Sequence, residues 1–226
     1  MRTAHRCAAA TAALLLGVAT PASATMHEPA PPEAPLEVQW PPASTHGAFR
    51  PLPDQFAQPA TLPLCGSEVT FSPGDVNTTE YRALVTAAGD TVVEYRGTIT
   101  ADITRASDGA SLDELSMDGR SFETYHADGR TATFDYHGSA LVIALDPLER
   151  EVFEEAGLPQ ASFFLSGRIV ETVTLESAPG PGQEYPPVVS AEITENTTEY
   201  VFDLCELLDQ AAAGQQPPTN TAPTSP

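Results

Sequence analysis

Between residues 62 and 210 apolar and polar positions alternate in short runs, the two-residue period of half-buried β-strands. The cleanest run is Thr98-Ile99-Thr100-Ala101-Asp102-Ile103-Thr104, where Ile99, Ala101 and Ile103 share one face and the polar residues the other. Turn-forming pairs punctuate the runs at Gly89-Asp90, Asp108-Gly109, Asp118-Gly119 and Asp128-Gly129, the last three ten residues apart. This spacing predicts an all-β fold: an antiparallel meander forming a barrel, with a sandwich as the alternative.

One stretch breaks the two-residue period. Asp146 can cap a helix, Pro147 suits its first position, Glu149 completes a capping box, and Gly157 and Pro159 end it. Leu148, Val152, Phe153 and Ala156 would form its buried stripe. Strands are expected again over Phe163–Glu176, Val188–Glu195 and Glu199–Cys205, with a Pro/Gly loop at Ala178–Pro187.

The two ends read differently. Residues 1–24 have a basic start, an apolar run from Ala8 to Val18 and the small triplet Ala22-Ser23-Ala24, the pattern of a cleavable signal peptide. The apolar run falls short of the ~20 residues needed to span a bilayer, so no membrane anchor is expected. Residues 25–61 form a Pro-rich linker expected to be disordered, and it carries the only tryptophan, Trp40. Residues 62–210 make the β-rich domain, and 211–226 an uncharged tail also expected to be disordered.

Charge and cysteine content narrow the classes of function. The chain has 31 acidic residues against 10 basic ones, every one arginine, for a net charge of −21. With no basic stripe to release counterions from a phosphate backbone, nucleic acid is not an expected partner. A signal peptide implies an oxidising compartment and a secreted, extracellular protein. There Cys65 and Cys205, at the two ends of the patterned region, favour a disulfide over two free thiols or metal ligation.

Catalytic and metal motifs are missing: there is no G-x-S-x-G, H-E-x-x-H, EF-hand loop or phosphate-binding glycine loop. Hence no catalytic residue, metal ligand or cofactor is assigned. If Asp128-Gly129 is a two-residue turn, His126 lies opposite Thr131, and His137 lies roughly 20 Å further along at ~3.3 Å per residue; the two histidines cannot share an ion. The opposite face of that hairpin carries Glu123, Tyr125, Ala132, Phe134 and Tyr136. The hairpin at Gly89-Asp90 would place Val93 and Tyr95 beside Leu84 and Arg82. Tyr95, Tyr125, Phe134 and Tyr136 are therefore the candidate lining of a ligand cavity, a composition that an ordinary core shares. Asn77-Thr78-Thr79 and Asn196-Thr197-Thr198 match the glycosylation pattern and are read as chance.

Taken together, Cys65-Gly66, Gly119-Arg120-Ser121-Phe122, Asp128-Gly129, Gly138, Asp146-Pro147 and Leu204-Cys205-Glu206-Leu207-Leu208 resemble a group of small secreted actinobacterial proteins of unknown function. The resemblance covers roughly Cys65–Leu208 and implies a disulfide-closed antiparallel β-domain without an established activity. The longer helix at Asp146–Gly157 and the loop Ala178–Pro187 depart from that pattern.

Three functions are then open. The first is a secreted, non-catalytic domain that binds a small apolar ligand. The second is a cell-surface or protein-interaction module displayed on the Pro-rich stalk, with Trp40 and the acidic surface as contacts. The third is an enzyme using Glu123, Arg82 and Tyr136 inside the fold.

Overall fold

The computed structural model describes residues 47–53, 58–179 and 186–215. The signal peptide and Trp40 lie outside these residues.

Among the described residues fourteen strands pair throughout in antiparallel fashion. In chain order they are β1 (Arg50–Pro51), β2 (Ala60–Leu64), β3 (Ser67–Asn77), β4 (Glu80–Val85), β5 (Thr91–Arg96), β6 (Ile99–Arg105), β7 (Ser111–Met117), β8 (Arg120–Tyr125), β9 (Thr131–His137), β10 (Ala140–Ile143), β11 (Ala161–Ser166), β12 (Arg168–Leu175), β13 (Val188–Asn196) and β14 (Glu199–Asp203). Helix α1 (Pro147–Glu155) follows β10, and α2 (Leu204–Ala212) follows β14. A seven-stranded sheet has the order β1-β4-β5-β8-β9-β12-β13, a four-stranded sheet β2-β3-β6-β7, and a three-stranded sheet β10-β11-β14. The described strands do not close into a barrel.

Beneath this order lies a repeated unit. Three consecutive hairpins, β4–β5, β8–β9 and β12–β13, build most of the seven-stranded sheet, and both strands of each continue past a corner into another sheet. In the first unit β3 and β6 pair beyond the corner, and in the third β11 and β14 do. In the middle unit β7 and β10 go to different sheets, so the layer opposite the seven-stranded sheet is split between them.

The corners of the first and third units share a sequence, Asn-Thr-Thr-Glu-Tyr at 77–81 and again at 196–200. At each, the asparagine Oδ1 accepts the N–H of the second threonine, from Thr79 at 3.1 Å and from Thr198 at 3.2 Å. The first threonine donates its N–H across the corner, Thr78 to the Thr98 carbonyl and Thr197 to that of Arg168. Gly97 (φ +112°) and Gly167 (φ +98°) lie against those threonines, where a Cβ would drive into the carbonyl oxygens of Thr78 and Thr197. Both features of glycine are needed, the positive φ and the absent side chain. This repeat is the structural meaning of the two apparent glycosylation patterns.

Several expectations need correction. Asp118-Gly119 is a crossing between sheets, because β7 pairs with β6 and β8 with β5 and β9; the strands are thus not a simple meander. The Gly89-Asp90 turn belongs to a longer loop, with Val85 opposite Thr91 and the Thr86 N–H bonded to the Asp90 carbonyl. That odd shift in register moves every side chain of β4 to the other face. The run Phe163–Glu176 is two strands in two sheets, broken at Gly167. The linker ends earlier than residue 61: β1 pairs with β4, Leu52 is buried, and β2 begins at Ala60. At the other end, α2 carries ordered chain past 210, through Ala212.

Helix α1 has the Asp146 cap, Pro147 at its start and the Glu149 capping box, with Glu149 Oε2 accepting the Asp146 N–H at 2.7 Å. Of its anticipated stripe Phe153 is fully buried, and Leu148, Val152 and Ala156 are half-buried. Helix α2 is a second helix. Asp203 caps it, and Leu204, Leu207 and Leu208 point inward at the i, i+3, i+4 spacing of a buried stripe. It packs on β7, β11 and β14, across the split in the layer. Two ties hold it there. Cys65, in the turn after β2, forms a disulfide with Cys205, Cα to Cα 5.2 Å; Arg105 on β6 donates to Asp209 at 2.6 Å and to Asp108 at 2.7 Å. The bridge therefore joins the β2–β3 turn to α2, one step beyond the last strand.

Candidate functional site

The inner face of the seven-stranded sheet is set by register. One row across it reads Ala83, Val93, Glu123, Phe134, Glu171 and Ile193; the next reads Tyr81, Tyr95, Ser121, Tyr136 and Ile169; a third holds Tyr125, Ala132, Val173 and Ala191. Apolar residues dominate, as a buried sheet face requires. Besides the tyrosines, the exceptions in these rows are Ser121 and Glu123 on β8, whose hairpin with β9 runs into the split between β7 and β10, and Glu171 on β12.

The four anticipated lining residues share this face. Tyr95, Phe134 and Tyr136 are buried, and Tyr125 is half-buried. Phe134 and Tyr136 stack with ring centroids 6.5 Å apart, and Tyr81 and Tyr95 are equally spaced. Two apolar clusters meet here. One joins Tyr95 and Val93 to the four-stranded sheet and α2; the other joins Phe134 and Tyr136 to β10, β11 and α1. Tyr125 packs against both.

Glu123 sits at that junction with no solvent exposure at all. Its Oε2 accepts the Tyr125 hydroxyl at 2.6 Å and the Tyr95 hydroxyl at 3.3 Å, while its Oε1 is buried without a hydrogen-bond partner. Loss of hydration disfavours the charged carboxylate and pushes this acid up to about 7, against the pull of the two phenol hydrogen bonds. The same burial, with the Glu123 charge beside it, raises the Tyr95 phenol well above its ordinary value. Tyr136 is raised too, by burial first and then by the charges of Glu171 and Glu123.

Arg82 does not join this group. Register places it on the outer face, where it donates to Glu94 at 2.5 Å, and Arg120 shares the same carboxylate. The trio Glu123, Arg82 and Tyr136 is thereby divided between the two sides of one sheet. The outer face carries further pairs, Arg96 with Glu80 and Arg168 with both Asp135 and Glu195. Phe49, just before β1, lies under Arg96 and Arg82, 3.6 and 4.7 Å from ring centroid to guanidinium carbon. His126 and His137 are on this side too, bonded to Thr133 and Asp135 at opposite ends of the hairpin. Among the described residues no group of three or more His, Cys, Asp or Glu side chains could hold a metal ion.

Comparison with known proteins places no relative beside it. No known protein family matches the chain, and neither the curated proteins nor the solved structures contain a match. The functional reading therefore rests on the site itself. Sequence reasoning found the aromatic residues and named Glu123, but it could not tell that Glu123 is the fully buried member and Arg82 an outer one. One odd step in the length of the β4–β5 loop decides that.

Proposed function

We propose that the protein is a secreted, non-catalytic binding domain whose interior takes up a small, largely apolar ligand between the inner face of the seven-stranded sheet and the split layer opposite. The observation that carries this reading is Glu123, a wholly buried carboxyl group with one oxygen unpartnered, ringed by Tyr95, Tyr125, Phe134 and Tyr136 where two apolar clusters meet. Apolar walls with very few polar anchors are the usual make-up of a small-molecule site. An unpaired polar oxygen costs roughly 1–3 kcal/mol in a purely structural core, so its retention favours a role in binding.

The architecture fits this reading when taken as a sandwich of unequal layers, with α2 lying across the β7–β10 split. Secretion is supported by the disulfide and by the signal-like residues 1–24; among the described residues no helix is long and apolar enough to cross a membrane. The resemblance to small secreted actinobacterial proteins points the same way. A surface-contact role is the second reading, favoured by the arginine and aromatic clusters around Phe49 and Phe122 on the outer face.

Native mass spectrometry of protein purified from its own host tests the main reading. A co-purifying small molecule, absent from a Tyr95→Trp/Phe134→Trp variant that crowds the junction, is the expected result. No bound molecule, together with no uptake of neutral apolar probes, would remove it.

A further inference from the structure

We infer that the ligand of this interior is an organic cation, an amine carried on an apolar or aromatic body, with Glu123 as its counter-anion. The inference rests on the ligand-binding reading above and gives that ligand a chemical class.

Charge balance separates the two inner-face acids, Glu123 and Glu171, from the buried charges elsewhere in the fold. Glu94 is buried on the outer face and is met by two guanidinium groups, Arg82 and Arg120. Arg105 is buried on β6 and is met by two carboxylates, Asp108 and Asp209. Elsewhere, then, the fold pairs buried charge with opposite charge, as low-dielectric surroundings demand. Along the inner-face rows from β4 to β13 there are two carboxyl groups, Glu123 and Glu171, and no arginine, lysine or histidine. Glu123 receives only phenol hydrogen bonds, both on Oε2. Its Oε1 remains buried and open to a donor.

The surrounding side chains suit a cation. Four aromatic side chains lie around the carboxyl group, Tyr95 and Tyr125 bonded to it through their hydroxyls and Phe134 stacked on Tyr136, and electron-rich rings are what hold ammonium groups in dry sites. An ammonium donating to Oε1 would complete the hydrogen bonding of Glu123 while its carbon skeleton occupied the apolar junction. Since burial holds the free acid up to about 7, an arriving cation would displace a proton and supply the missing positive charge. A carboxylic acid of the same shape would add negative charge beside Glu123 and Glu171 and be rejected. A neutral alcohol could donate to Oε1 without neutralising it.

Three probes of one shape test this: 1-naphthylmethylamine, 1-naphthalenemethanol and 1-naphthoic acid, each titrated calorimetrically into the full-length protein and the Glu123→Gln variant. The amine should bind about tenfold or more tighter than the alcohol, the worth of one charge-assisted hydrogen bond, and the acid should not bind. Glu123→Gln should bring amine and alcohol together while both still bind. Tyr95→Phe, which leaves the carboxyl in place, should retain the preference for amine and shows that Glu123 itself sets it. Should the alcohol or the acid bind as well as the amine, the cation inference falls and the ligand-binding reading stands. Should none of the three bind a folded protein, both fall.

Discussion

The buried acid makes a quantitative prediction about stability. A carboxyl group raised from 4.5 to about 7 in the folded state holds its proton more tightly folded than unfolded. Over that interval the native chain carries more protons than the unfolded chain, so stability falls as pH rises. The fall begins near the unfolded value, continues through the folded one and levels off above it. Each tenfold gain in proton affinity is worth about 1.4 kcal/mol, so the full cost of an ionised Glu123 is about 3 kcal/mol. Glu123→Gln keeps the shape and removes the charge. Urea unfolding of both proteins from about pH 4.5 to 8 should give a difference that swings by about 3 kcal/mol in favour of the variant as pH rises. Groups common to both proteins, the histidines and the outer-face carboxylates included, cancel in that difference. Asp128, held down to about 2 by its bonds to Thr131 and Arg130, acts in the opposite sense and well below the window. Parallel pH curves for the two proteins would show that Glu123 stays charged at no cost, and the account of the junction as a dry site would be wrong.

Other perturbations read other parts of the fold. Replacing Cys65 and Cys205 together by serine should lower the melting temperature steeply: the closed loop spans a separation of 140 residues, and the chain-entropy model assigns it about 5 kcal/mol, an upper value. A melting curve unchanged by the double substitution would show the bridge idle. Gly167→Ala should cost at least ~2 kcal/mol by chemical denaturation, through positive φ and collision with Thr197; Gly157→Ala, where a Cβ meets nothing, should cost only about 1 kcal/mol. Arg82→Met and Arg120→Met should each be tolerated, because the other guanidinium still serves Glu94. The double variant should lose roughly 3 kcal/mol or more by leaving a buried carboxylate uncompensated, and simple additivity in that cycle would count against a shared ion pair.

How much of this was legible beforehand depended on whether the signal was local. The alternation of Ile99, Ala101 and Ile103, the β8–β9 register and the α1 capping box are short-range patterns, and each has the predicted form. Sheet membership is not local. Asp118-Gly119 carries the same turn chemistry as Asp128-Gly129, yet one crosses between sheets and the other closes a hairpin, because the partner strands lie far away in sequence. The β4–β5 register failed for a smaller reason: the chain turns over Thr86–Asp90, and an odd change in loop length exchanges the two faces, which carried Arg82 outward and left Glu123 without a cation. Helix α2 had a readable signal in Asp203 followed by leucines at 204, 207 and 208. It was hidden by the strand-like run just before it. The repeated Asn-Thr-Thr-Glu-Tyr was equally visible, and its two glycine partners, Gly97 and Gly167, mark the corners once the pairing is known.

The three bent hairpins also bear on the order in which the molecule can assemble. Each hairpin pairs strands that are neighbours in sequence, so its loop-closure entropy is small and it can form soon after its own residues are available. Synthesis delivers the first unit, then the second, then the third, and each new hairpin adds to an edge already laid down by the last. Cys65 belongs to the earliest part of this process and Cys205 to the final helix. The thiol of Cys65 must therefore remain unoxidised, or be held in a reversible mixed disulfide, until nearly the whole domain has formed around it. On this view the bridge is a late lock on finished topology, and oxidative refolding should show native-like strand content before the disulfide closes.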